Sequence, residues 1–511
     1  MPVEQLHSSP IASASLEHEL GLVSSSAGAD YRYIGASSGC FLAKLILSTV
    51  GDEAPTSNVT GGSHLNGAKT GSQSNGRPSS EERILDVSPA PLPTSWERAK
   101  LLSATYFDTV QLQFPFLHGP SYEQSLRRLY SRETLDADYG DAFALFQTYM
   151  VLPIGSTILS RRVKVELPSG GFSASALEHL KNLNLSSSIQ VLQCTLLLLM
   201  YALNSPSLGL NMWYLHHQCV AVLIDLGLYR SLPPGNWSAD EEQLRRRVFI
   251  CIYTIDQTLA AIMRRPCALR DEDCSCRVGA NPVSKGHPEE TWMSIVQELT
   301  SAKVPDHIND ADLFINGFIP QPGQGELADI SNAIHLFHLA RMNSRLSISS
   351  IPDPSTYTLP TPIDLGDWQQ RTLSRLRQWA SEIPPQTREG SFVAELSEIE
   401  YHNTVLFLLL LSPALRKPSE ETLKTCYESA VQCLRIYNRL YKTNILAFSW
   451  VTVHSVFLAS LNILYYVWIV PDSQPYEDTA GHFSVRPESR LRCSECYWRA
   501  LAAGEAMSGC S

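Results

Sequence analysis

Several short constellations in this 511-residue chain could carry chemistry. Gly35-Ala36-Ser37-Ser38-Gly39 satisfies Gly-x-Ser-x-Gly, in which a serine raised on a tight strand-to-helix turn attacks acyl groups. That elbow needs a parallel sheet built around it, and the residues before it are mostly Ser-rich. A polar turn is the better reading. Asp271-Glu272-Asp273 groups carboxylates as a Mg²⁺-diphosphate site does. Such a site takes a second acidic motif, and Asn309-Asp310-Ala311-Asp312 lacks the downstream Ser/Thr and Glu. The three acids read instead as capping or solvating the turn after Pro266, with Arg270 in range to pair with them. Cys493-Ser494-Glu495-Cys496 offers two thiolates where closed structural zinc takes four ligands, so Cys274 and Cys276 would have to come close. His216-His217 has no third ligand in register and reads as surface or interface. Arg245-Arg246-Arg247 could touch phosphates, but beside Glu241 and Glu242 it reads as a solvated or salt-bridged helix face. No residue is assigned a catalytic, cofactor-binding or metal role.

Composition narrows the field further. Hydrophobic residues make up 44% and charged residues 18%, which is globular rather than disordered. A formal net charge of -11 repels phosphate backbones, so direct nucleic-acid contact would need a local basic patch, and no long one is present. The twelve cysteines are irregularly spaced, and several lie inside apolar runs such as Phe249-Ile250-Cys251. They read as small buried hydrophobes in a reducing compartment, not as a disulfide framework. The first residues show no basic stretch followed by an apolar core, so no signal peptide is expected. From Ile445 to Val470 no residue is charged, a length that could cross a bilayer. Ser449, Thr452, His454, Ser455, Ser460 and Asn462 interrupt it, and no Lys/Arg cluster follows Pro471 and Asp472. It reads as a buried core helix, with no membrane span expected.

The elements that would position these residues are helical. Residues 1–30 read as disordered, 31–50 as a short ordered island and 51–94 as a flexible linker rich in Gly, Ser and Asn. From Ser95 onward, Trp96, Ala99, Leu102, Tyr106 and Phe107 recur at helical steps until a break near Pro115. Ile189–Leu203 is apolar on nearly every side, as a central helix is. Met212–Leu226 is amphipathic and stops at Gly227, and Glu241–Met263 carries an apolar stripe closed by Pro266. Residues 346–366 hold four prolines and read as a connection between a section at 95–345 and a C-terminal helical section at 367–511. Within the latter, helices are expected at 398–411, 420–440, 445–469 and 486–502. No run of alternating strands occurs, and the fold class is all-α, a large multi-helix bundle or array.

These helices carry landmarks of a known family. Tyr33-Ile34-Gly35 resembles a short element often placed ahead of its domain. Tyr106-Phe107, then Phe114-Pro115-Phe116-Leu117-His118, resembles its opening; Ile189-Gln190 through Tyr201 resembles its central helix. Asp225-Leu226-Gly227-Leu228 is similar to the turn that ends its next helix. Arg245-Arg246-Arg247-Val248-Phe249, Asp256, Arg265-Pro266 and Leu269-Arg270-Asp271-Glu272-Asp273 resemble an arginine-led helix with its Gly-Arg-Pro turn. Arg264 stands where Gly is usual, and Pro153 interrupts a segment that is normally helical. The chain is thus identified as resembling the fungal-specific transcription factor domain, also called the xylanolytic activator regulatory domain, over residues 31 to 505. Its structural landmarks here are Phe114, Pro115, Phe116, Asp225, Gly227, Arg247, Asp256, Arg265, Pro266 and Asp273.

The resemblance implies a nuclear transcription regulator that is not an enzyme and controls a metabolic or secondary-metabolite gene set. Its implied partners are the transcription machinery or a DNA-binding factor, with a possible small-molecule effector and a homo- or heterodimeric state. Complete members hold two zinc ions with six cysteines near the N-terminus; Cys40 is the only cysteine here before Cys194, too few for that cluster. No cofactor is expected for this chain, and direct DNA binding by it alone is not expected. Two other classes stay open: an all-α enzyme of terpene-cyclase type, and a membrane-associated protein held through 445–470.

Overall fold

The structure, a computed structural model, describes residues 22–23, 32–33, 88–130, 142–180, 183, 188–205, 211–230, 237–263, 265–274, 331–346, 365–382, 392–409, 418–446 and 449–470. Among them the architecture is all-α, apart from one two-residue antiparallel pairing of β1 (Leu22–Val23) with β2 (Arg32–Tyr33), in register Leu22 to Tyr33. The helix expected at 486–502, the linker and the Gly35–Gly39 turn lie outside the described residues.

Twelve α-helices follow among the described residues. They are α1 (Trp96–Tyr106), α2 (Gly119–Tyr130), α3 (Ala142–Val163), α4 (Gly170–Leu180), α5 (Ile189–Asn204) and α6 (Met212–Asp225). After them come α7 (Ala239–Met263), α8 (Ser331–Leu346), α9 (Leu365–Ser381), α10 (Phe392–Leu409), α11 (Glu420–Lys442) and α12 (Trp450–Ile469). Their starts are written in the sequence. Ser188, Asn211, Ser419 and Ser449 each accept a hydrogen bond from a backbone N–H in the first turn. Ser238 and Glu241 form a reciprocal capping box at α7, Glu241 N–H donating to Ser238 Oγ and Ser238 N–H to Glu241 Oε2. Gly227 ends α6 with φ of +65°, the left-handed conformation that a Cβ disfavours.

Pro153 does not interrupt α3. Proline removes one N–H and crowds the carbonyl four residues earlier, but Met150 through Ser156 are all buried, so packing on every side holds the helix through the defect. At Gly155 the helix meets α1 so closely that a Cβ would stand 2.0 Å from the Leu102 carbonyl oxygen. Gly155→Ala therefore forces the two helices apart. We expect a stability loss of about 1–3 kcal/mol, read as a lower urea midpoint; an unchanged midpoint would show that the helices do not meet there.

Two cores form. The larger joins α1 to α7 through residues such as Tyr106, Phe146, Leu196, Leu223 and Phe249. The smaller gathers Leu376 and Trp379 of α9 with Leu406, Ile436 and Leu458 of α10 to α12. Helix α8 belongs to both: Phe337 and Ala340 enter the first core and Leu339 the second. Trp450 and Val451 at the start of α12 also reach the first core.

The C-terminal boundaries differ from the sequence reading. Helix α10 starts at Phe392, not 398, because Phe392 joins the second core as a partly buried residue and Glu395 is buried. Helix α12 starts at Trp450, not 445, because α11 ends at Lys442, the chain turns at Asn444 with φ of +56°, and Ser449 caps the next helix. Nor is α12 buried all round: Ser455, Leu458, Ala459, Leu461 and Asn462 form one covered stripe, while Val453 is 59% exposed. No disulfide joins the described cysteines. Burial pushes the thiols of Cys426 and Cys433 up to about 12, and those of Cys219 and Cys251 higher still, which leaves them inert.

Candidate functional site

Of the landmark residues, Asp256, Arg265 and Pro266 come together where α6 meets α7 and the turn that follows it. Helix α6 presents His216, Cys219, Val220 and Leu223 on one stripe, all buried. Helix α7 presents Asp256 from the opposite side, and both His216 and Asp256 have fully buried side chains. His216 Nε2–H donates to Asp256 Oδ1 at 2.7 Å. The same carboxylate accepts the backbone N–H of Ala268 at 3.2 Å and of Leu269 at 2.8 Å, and Gln257 Nε2–H at 3.3 Å. Gln257 also donates to the Leu269 carbonyl at 2.8 Å. One buried carboxylate is thus satisfied by four donors, three from other elements, and it latches the turn after Arg265-Pro266 onto α6 and α7. Arg265 places its guanidinium 4.9 Å from the Trp213 ring centre, closing the outer side of the latch.

His216 therefore corrects the reading of a surface or interface pair: burial of its stripe puts it opposite Asp256. The arginine run is corrected in part. Arg246 pairs with Glu242 and Arg245 lies over Trp237, as an exposed face would have it, but Arg247 is only 5% exposed. It falls on the inner side of α7 with Val248 and Cys251. The acidic turn is also corrected. Asp271 takes Arg341 of α8 as its partner, not Arg270, through Nε at 2.7 Å and Nη2 at 3.0 Å. Tyr253 O–H donates to the same carboxylate at 3.4 Å, and burial raises its hydroxyl well above the ordinary tyrosine range. Asp271 thus ties α8 to α7 and is engaged by a guanidinium instead of open to a metal ion. Asp273 is exposed on the short 3₁₀ turn Asp271–Asp273; Pro266 and Asp225 are exposed too. Asn309–Asp312, Cys276 and Cys493–Cys496 lie outside the described residues, and no metal-binding group occurs among those described.

Phe114, Pro115 and Phe116 are brought into a second arrangement. Helix α1 widens into a π turn at Phe107–Gln111 and then leaves the helix, while Pro115 has no N–H to offer. Carbonyls are left without helical donors, and three side-chain amides supply them. Gln111 donates to Leu117 O at 2.6 Å, Gln193 of α5 to Phe116 O at 2.7 Å, and Asn332 of α8 to Leu112 O at 3.1 Å. Sequence reasoning missed all three amides, as it missed His216 and Arg341. For His216 a signal existed: it shares the stripe of Cys219, Val220 and Leu223. For Asn332 and Arg341 none did, since the partners lie 220 and 70 residues away.

The second core holds its own shifted groups. Burial pushes the Glu400 carboxyl up to about 7. It sits beside Cys433 and Tyr437, near Asn403, whose amide donates to Ser455 at 3.1 Å. Burial holds His335, His338 and His402 down to about 4. His335 stacks on Trp379 at 4.2 Å, and the Trp379 indole N–H donates to the His335 carbonyl.

The described polar groups so arranged bind elements to one another, and the comparisons with known proteins agree with the family pattern. Residues 104–380, more than half of the chain, match the family described as the fungal specific transcription factor domain. The pyrimidine pathway regulatory protein 1 of Saccharomyces cerevisiae is 22% identical over 55% of this chain and 29% of its own length. The positive regulator of purine utilization of Emericella nidulans is 21% identical over 89% of this chain and 50% of its own. The transcriptional activator protein acu-15 of Neurospora crassa is 23% identical over 61% and 30% respectively. The chain thus spans half or less of the length of each of these relatives. With its opening turn, its α6–α7 latch and its matched residues in one body, the chain belongs to the fungal specific transcription factor domain family.

Proposed function

We propose that this chain is the regulatory body of a nuclear transcription regulator, working by contact with protein partners and catalysing nothing. The observation that carries the reading is the family match over residues 104–380. Relatives named for a pyrimidine pathway and for purine utilization support control of a metabolic gene set. The partner is the transcription machinery or a DNA-binding factor, reached as a homo- or heterodimer, and a small-molecule effector sets the state of the body. In this reading the chain takes no cofactor of its own, and zinc belongs to a six-cysteine cluster of the kind complete members carry. The engagement of Asp271 by Arg341 speaks against the terpene-cyclase alternative.

Two measurements test it. Fused to a heterologous DNA-binding domain in yeast, the chain changes expression of a reporter; no change with a stably expressed fusion would end the proposal. By itself, at an ionic strength of about 0.15 M, the acidic chain holds promoter fragments no better than unrelated DNA. Sequence-specific retention under those conditions would overturn that part.

A further inference from the structure

Residues 88–93 read Ser-Pro-Ala-Pro-Leu-Pro, so each is either a proline or the residue before one. Proline fixes its own φ at about −65° and drives its predecessor to extended backbone, which pre-sets the whole run as a polyproline-type strap. The strap lies across α4 and ends against the corner of α1 and α2. Ala90 N–H donates to Gly171 O at 3.0 Å, and the Ser175 hydroxyl, one turn further along α4, donates to Ala90 O at 2.7 Å. Gly171 is where strap and helix touch. A Cβ there would stand 2.6 Å from that of Ala90, and its next neighbours, Ala90 N and Ser88 O, also belong to the strap. At the far end the Tyr130 hydroxyl donates to Pro93 O at 2.5 Å, and the Trp96 ring meets Tyr130 edge-on at 5.5 Å. A bare glycine, an aromatic pair and hydrogen bonds to main-chain atoms make a groove that reads extended backbone, whichever chain supplies it.

The strap is held lightly. Of its six residues only Pro93 is buried; Ala90 and Leu92 are half-buried, and Ser88, Pro89 and Pro91 are exposed. Emptying the groove strands no polar group. Ser175 also donates to Gly171 O at 3.1 Å, and Tyr130, partly exposed, can turn its hydroxyl to water.

We propose that this groove is a docking site for a proline-spaced extended segment of a partner protein, and that residues 88–93 fill it in cis until such a segment displaces them. The strap runs directly into α1 and so acts at an effective concentration on the order of millimolar. A partner therefore competes only by bringing further contacts or a high local concentration of its own. Peptide binding is read on the purified chain, so its failure leaves the transcriptional reading standing.

A fluorescent peptide with the sequence of residues 88–95 is the probe, followed by anisotropy. Ala90→Asp with Leu92→Asp unseats the strap in the full chain, and the probe then binds about tenfold or more tightly than it binds the unmodified chain. Gly171→Val added to that pair abolishes binding, because its Cβ takes the place of Ala90. Tyr130→Phe, added instead, weakens binding about fivefold through loss of the Pro93 hydrogen bond. Equal probe affinity in the unseated and unmodified chains overturns the proposal, as does binding indifferent to Gly171→Val. If the aspartate pair disturbs folding, hydrogen exchange on the unmodified chain decides the matter. Saturating probe is expected to quicken exchange of the Ala90 and Leu92 amides about tenfold and to leave α5 unchanged. Unaltered rates make the strap a fixed part of the fold and end the proposal.

Discussion

Asp256→Ala lowers the stability of the folded chain by about 3–5 kcal/mol, seen as a fall in thermal midpoint and faster proteolysis of the 265–274 turn. The size follows from what the carboxylate serves. Removing it strands His216, Gln257 and the backbone N–H groups of Ala268 and Leu269 in a site where both side chains are fully buried. Water does not replace the acceptor, and each stranded donor keeps its desolvation cost. Asp256→Asn loses less, because one oxygen still accepts. In a double-mutant cycle, His216→Ala and Asp256→Ala are strongly non-additive, since either change alone disables the same contact. Additive losses would mean that the turn is held by something other than this latch.

Acidification from pH 7 to pH 4.5 destabilises the second core more than its carboxylates alone require. His335, His338 and His402 are held near 4 by burial, against an ordinary value of 6.5, so the unfolded chain takes up their protons first. A depressed folded value gives stability that is present above 6.5 and is lost as pH falls towards 4. Each shift corresponds to about 3 kcal/mol. Glu400 works the other way: with a folded value of about 7, it gives stability that is present below 4.5 and lost as pH rises through 7. Three histidines outweigh one carboxyl, so the net slope is downward with acid. His402→Gln flattens the slope of thermal midpoint against pH, and Glu400→Gln raises the midpoint at pH 8. A midpoint that stays level between pH 7 and 5 would contradict this account.

Helix identity was legible in the sequence because each apolar face repeats at the helical period: α5 is apolar on nearly every side, and α6 stops at its glycine. The landmark positions were legible as a pattern, but not as contacts. Asp256 could be picked out by resemblance; that it holds a turn twelve and thirteen residues away, with a histidine forty residues back, depends on helix crossing and not on spacing. Helix rotation misled the reading at Arg247, where a run of three arginines looks uniformly exposed until the 100° step per residue carries one inward. Pro153 misled it through local propensity, which burial on all sides overrides. Asp271 was given its sequence neighbour Arg270 as partner, whereas α8 brings a bidentate guanidinium from much further along the chain. Such pairings carry no periodic trace.

Helix α8 is a shared axle. With Phe337 facing one core, Leu339 the other and Arg341 pinned to Asp271, it cannot turn about its long axis without unseating both halves. A displacement of α8 therefore disturbs both cores and the Asp271 ion pair together, so the stabilities of the two halves are linked through this one helix.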